Sequence, residues 1–242
     1  TGSPEATANR PKRPLCINCE TRPRTAGPRS FYGVAMYLET SEQLDVLHSM
    51  QEVLWQLQRD EKNRTNLKWA TIALCNALNS MLVCNLSGSM QVGALRQNDA
   101  VTEIQRLNNR EPIAPKKLKL AGPHDLLERV RGLSSRMESA GPNIQIPESE
   151  VLSFRELFSV RNQFMHFEPQ SWLIQVDWLL THISTGSRLA ERVATDDYSL
   201  RHLSQQQQIE VRNICPKVKA RCSELQVKQN EKAPDRSGAF VL

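Results

Sequence analysis

The run Arg161-Asn162-Gln163-Phe164-Met165-His166 holds the side chains from which proton transfer and anion binding are built. An imidazole gives and takes a proton near neutral pH. A guanidinium grips an oxyanion through two parallel N–H bonds. The run falls in a stretch opened by Pro147, and Glu148 and Glu150 suit the positive end of a helix beginning there. With a step of about 100° per residue, Phe154, Leu157, Phe158, Phe164 and Met165 all fall within about 60° of Arg161. Arg161 is therefore in the middle of an apolar stripe, while Asn162 and His166, four apart, lie one above the other on its polar flank. A cation in that place must find an anion or a set of acceptors. Two readings follow. Either Arg161 pairs with an internal carboxylate such as Asp125 or Glu128 and His166 merely caps a helix end, or the two serve an external anion.

The elements that must hold this run are helical. Thr40 with Gln43 reads as a capping box ahead of Leu44, Leu47, Val53, Leu54 and Leu57 at helical spacing. A second helix, about 65–86, is apolar almost all round, through Trp69, Ile72, Leu74, Leu78, Leu82 and Val83. No charge occurs between Lys68 and Arg96, which is long enough for a membrane span. Asn76, Asn79 and Asn85, and the missing aromatic and basic belts, favour the central buried helix of a bundle instead. Gly88 reads as its cap. Further helices are expected over 99–108, 125–138, 147–167, 177–193 and 200–224, the last interrupted by Pro216. The stretch 111–123 reads as a connection and 140–146 as a loop, while 172–176 has some extended character. The tail from Lys228 looks frayed. With strand signals this sparse, the fold class is all-α, an up-and-down bundle.

Charge divides the 242-residue chain unevenly. Residues 1–35 carry six basic side chains against two acids and five of the 13 prolines, with no apolar period. They read as a disordered basic leader, either a flexible arm or translated sequence upstream of Met36. A transit peptide would also be Arg-rich, but the amphipathic helix is missing. The remainder holds 25 bases and 24 acids, so the net charge of +5 does not describe a broad nucleic-acid-binding face. Domain boundaries follow as leader 1–35, helical domain 36–227 and flexible tail 228–242. The basic stretch from Arg110 to Arg136 reads as a solvated face sooner than as an RNA track. Six scattered cysteines without a signal peptide suggest reduced thiols and a cytoplasmic location. Cys16 and Cys19 form a CxxC with no second half, and His48, His124, His182 and His202 read as isolated surface residues. No Gly-rich phosphate loop, serine elbow or acidic cluster is visible, so neither cofactor nor metal is expected.

The motif R-N-x-x-x-H late in an all-α chain resembles the HEPN superfamily. The longer strings RNQFMHFEPQSW and LKWATIALCNALNSMLVCNL are similar to a set of uncharacterised bacterial HEPN-like proteins, over roughly residues 40–178. The resemblance implies a HEPN-like bundle and a metal-independent endoribonuclease of toxin or defence type. It implies that two protomers pool their motif helices in a homodimer. On this carry-over, His166 is the general acid–base near the ribose 2′-hydroxyl, Arg161 holds the scissile phosphate, and Asn162 orients His166 or donates to the phosphate. The product would be a 2′,3′-cyclic phosphate. RNA and an antitoxin are the implied partners, with no membrane. The alternative is a non-catalytic HEPN-like bundle that binds a protein partner or nucleotide.

Overall fold

The computed structural model describes residues 38, 40–59, 64–112, 117–134, 140–166 and 173–232. The expected leader at 1–35, the CxxC, and Phe167, Pro169 and Trp172 lie outside the described residues. Seven helices are described: α1 (Glu42–Arg59), α2 (Asn66–Leu86), α3 (Gln97–Asn108), α4 (Pro123–Val130), α5 (Glu148–Met165), α6 (Val176–Thr195) and α7 (Gln205–Lys232). No strand occurs among the described residues, and 173–175 lead irregularly into α6. One antiparallel bridge, Leu95 with Leu120, ties the connection after α3 back to the segment before it. The fold class is all-α.

Helix α2 is the axis of the bundle. It touches α1, α4, α5 and α6, and 72% of its apolar window is buried inside the protein. A helix apolar on every side needs neighbours on every side, and here protein supplies them. Its exposed ridge carries Trp69 (51% exposed), which the hydrophobic pattern assigns to the interior. α7 then packs along α6 and closes on α1, so that Val211, Ile214, Val218 and Leu225 join the same core as Val46, Met50 and Leu57.

Several helix ends differ from the sequence reading, each for a local reason. Ser41, not Thr40, caps α1, because its Oγ accepts from the Leu44 N–H at 3.2 Å. Gln43 is spent elsewhere: its Oε1 accepts from the His202 N–H at 2.8 Å. α2 ends on Ser87 in extended conformation, not on a left-handed Gly88. α4 stops at Val130, well short of the amphipathic pattern. The N–H groups of Gly132 and Leu133 return to the carbonyls of Arg129 and Glu128, and Gly132 has φ +71°. That is a glycine-terminated Schellman end. Ser204 and Gln207 form the reciprocal box that opens α7, five residues after Leu200. Pro216 sits inside α7 without ending it, and the helix continues past Lys228 to Lys232. A proline deletes one helical bond. Buried Cys215, Val218 and Cys222 on either side keep both halves docked.

Three contacts set where α5 lies. At Gly186 of α6 a Cβ would stand 2.6 Å from Leu157 Cδ1 and 3.1 Å from Leu74 Cδ2, so the bare backbone lets α6 press onto α5 and α2. Glu150, buried in the first turn of α5, accepts from Arg192 Nε at 3.0 Å and Nη2 at 2.9 Å. Ser153 Oγ lies 2.9 Å from His182 Nδ1. The N-terminal half of α5 is thereby clamped from α6.

Candidate functional site

The motif occupies the C-terminal end of that clamped helix. Arg161 and Asn162 lie in its last turns, and His166 is the residue that ends it, with φ −113° and ψ 91°. Its backbone N–H still donates to the Asn162 carbonyl at 2.9 Å. The His166 ring is exposed and makes no hydrogen bond among the described residues. The end-capping half of the simpler reading is therefore met by the backbone, and the imidazole has no hydrogen-bond partner among the described residues.

Arg161 is half-buried and faces the interior, as the helical wheel requires. It lies against α2, where its positive charge draws the Cys75 thiol downward against the burial that pushes it up to about 12. Nη1 donates to Asn162 Oδ1 at 3.1 Å. Nε is sealed from solvent with no hydrogen-bond partner. Neither carboxylate weighed as its partner reaches it. Asp125 accepts from Arg129 Nη2 at 2.6 Å, and Glu128 accepts from Arg131 at 3.2 Å and Arg155 at 3.4 Å. Among the described residues Arg161 forms no ion pair. A guanidinium held inward with an unmatched donor is unusual, since an orphaned buried donor costs about 1–3 kcal/mol.

Asn162 is the link between the two ionisable groups. Its side chain holds the guanidinium and its carbonyl fixes the backbone of His166. The structure thus keeps Arg161, Asn162 and His166 on one helix end, with the guanidinium recessed and the imidazole outermost.

Much of the apolar stripe packs inward: Phe158 is 4% exposed and packs against Phe154 and His124. Phe164 is half-buried against the core. Met165 (49%) and Leu152 (56%) are the apolar side chains of α5 that reach solvent. His48, His124 and His202 are exposed, as expected, whereas His182 is half-buried. His124 lies edge-on to Phe154, His182 edge-on to Trp178, and burial lowers the basicity of both.

Other sites offer less chemistry. Among the described residues no three His, Cys, Asp or Glu side chains gather to hold a metal. Burial pushes the thiols of Cys84, Cys215 and Cys222 up to about 12, which leaves them protonated and poor nucleophiles. A depression of about 510 Å³ between α1, α2 and the α3 region is lined by Gln43, Cys84, Leu95, Glu103, Arg201 and His202. Its Arg201 is spent on the carbonyls of Cys84, Ser87 and Tyr198, a structural clamp on the end of α2. Beside the motif, the Lys68 ammonium lies 5.7 Å from the centre of the Phe164 ring and 5.4 Å from that of Trp69. In comparisons with known proteins, no family model, no curated protein and no solved structure matches the chain.

Proposed function

We propose that the protein is a HEPN-like, metal-independent endoribonuclease in which Arg161 and His166 act on the RNA backbone. The observation that carries this reading is the state of Arg161: turned inward, braced by Asn162, and left without a carboxylate although Asp125 and Glu128 stand in the same bundle. A half-exposed guanidinium with no carboxylate beside it is suited to a phosphate that arrives from outside, and the planar fork fits two of its oxygens.

The chemistry follows from the two groups. His166 takes the proton of a ribose 2′-hydroxyl, whose oxygen attacks the adjacent phosphorus. Arg161 offsets the charge that grows on the non-bridging oxygens. The bond to the 5′-oxygen breaks, and that oxygen leaves with a proton from a second imidazole. Products are a 2′,3′-cyclic phosphate and a free 5′-hydroxyl. One chain carries one such imidazole at this helix end, so a second copy in a two-fold dimer supplies the other. Met165 and Leu152 are the apolar residues available to such a seam. Toxin or defence activity, RNA and an antitoxin as partners, and a cytoplasmic setting belong to this same reading.

Expression of the wild type beside His166→Ala tests it. Growth arrest with fragmented RNA for the wild type, and normal growth with intact RNA for the variant, is the expected outcome. Equal growth and intact RNA in both would favour the non-catalytic bundle.

A further inference from the structure

α1 and α7 pack on each other and form one outer layer of the bundle. Beneath them α2 and α6 make a middle layer, and α5 lies across that layer from the other side. The outward side of the α1–α7 pair is therefore turned away from the motif. Along it runs a groove of two adjoining hollows, about 440 and 480 Å³, which share Leu54, Gln58 and Lys217. Buried Ile214 lies at its base, while Trp55 (47%) and Ile209 (48%) stand half-exposed in it. The Arg59 guanidinium packs 4.2 Å from the centre of the indole and holds the ring in place. A fixed, half-exposed indole beside an aliphatic side chain is the kind of centre around which protein interfaces form.

Two unpaired charges in the groove identify what covers it. Glu210 accepts from the Gln51 amide at 2.6 Å but forms no ion pair among the described residues. Lys217 forms neither an ion pair nor a hydrogen bond among them, and in the adjoining hollow Arg221 is already paired with Glu224 at 2.9 Å. Glu210 and Lys217 share one face of α7 two turns apart, about 10 Å, which is too far for them to meet within one chain. With one charge of each sign, the groove offers no excess that would draw a polyanion or an anionic bilayer. The pattern is complementary to itself. An antiparallel α7 from a second copy, related by a two-fold axis beside exposed Asn213, sets each Glu210 against the other copy's Lys217.

We infer that the α1–α7 groove is an interface between two copies of this chain, with Trp55 and Ile209 at its apolar centre and reciprocal Glu210–Lys217 pairs across a two-fold axis. This contact is independent of the ribonuclease reading and lies on the opposite side of the bundle from the seam proposed at α5. Where both contacts form, the assembly holds more than two chains.

The test uses the full chain, free of RNA, in sedimentation and light scattering at micromolar concentration. Glu210→Lys and Lys217→Glu each set like charges against one another twice, so each alone should raise the dissociation constant at least about tenfold and halve the wild-type mass. An equimolar mixture of the two variants restores both opposite-charge pairs and should recover the wild-type mass as a one-to-one complex. Trp55→Ala should weaken association by a similar factor. Glu210 and Lys217 are exposed, so both reversals should melt near wild type, and Lys217→Glu leaves the Gln51 contact untouched. Recovery in the mixture rules out a misfolded variant. A wild-type monomer leaves the groove to a different protein and overturns the inference. So does a mixture no heavier than its components. An assembly indifferent to both reversals but broken by Met165→Glu places the contact at α5, which overturns the inference and spares the ribonuclease reading. A charge-dependent assembly that leaves RNA intact would sink the ribonuclease reading and leave this interface standing.

Discussion

The Arg161 guanidinium donates to the side-chain oxygen of its own neighbour, Asn162, at 3.1 Å, while the Asn162 carbonyl accepts the His166 N–H at 2.9 Å. Adjacent helical residues point about 100° apart, so this contact requires the arginine to bend back toward the helix end. The asparagine thereby sets the position of both groups without itself being needed for proton transfer.

Asn162→Ala should accordingly lower RNA cleavage by about tenfold, less than loss of the acid–base itself. Its melting temperature should stay near wild type, because Asn162 is exposed. Steady-state kinetics and a thermal melt on the same preparation check this. A variant with full activity would show that Arg161 holds its place unaided.

Gly186→Ala probes the scaffold. The added methyl would meet Leu157 Cδ1 at 2.6 Å and Leu74 Cδ2 at 3.1 Å, in the packed centre of α2, α5 and α6. Overpacking of this kind costs about 1–3 kcal/mol, read from urea denaturation. Leu157 is one turn before Arg161, so activity should fall together with stability. Unchanged denaturation would mean that the helices part freely at that point.

Stability should also fall with acid through His124 and His182. Burial holds both imidazoles below their ordinary pKa; Arg155 adds to this at His124, whereas Glu128 there and Glu156 at His182 oppose it. The folded state thus binds fewer protons than the unfolded chain in this window, and stability rises with pH there. The contribution is whole above the unfolded imidazole value of about 6.5 and is lost as pH drops through the lower folded value. Denaturation at pH 7.5 and pH 5.5 should show a smaller acid loss in His182→Gln than in wild type. An identical loss would place the acid sensitivity in other groups.

The helices themselves were legible because apolar spacing repeats over many residues. Arg161 was legible for the opposite reason, as a charge that breaks its own stripe. Helix ends were read less well, since several polar residues compete for each cap and one hydrogen bond decides. Ser41 defeats Thr40, and Gly132 ends α4 while the apolar pattern runs on. Phe158 and Phe164 pack on the core for a reason the helical wheel cannot give. A wheel gives direction but not distance, and cannot tell a stripe that meets the core from one that meets a second copy. His182 is half-buried between Trp178, one turn before it, and Ser153 of α5, a neighbour far off in sequence that nothing local announces.

On the proposed reading, a guanidinium and an imidazole cut RNA without a metal. The measurement is cleavage of unstructured RNA in excess EDTA by wild type, Arg161→Lys and His166→Ala, with the 3′ ends of the products analysed. Wild type should cut in EDTA and leave 2′,3′-cyclic phosphates. His166→Ala should lose about 10²–10⁴-fold, the usual cost of removing a general acid–base. Arg161→Lys should be severely impaired although it keeps its charge, because an ammonium lacks the guanidinium fork. Cleavage by His166→Ala at the wild-type rate, or wild-type activity abolished by EDTA, would contradict the account.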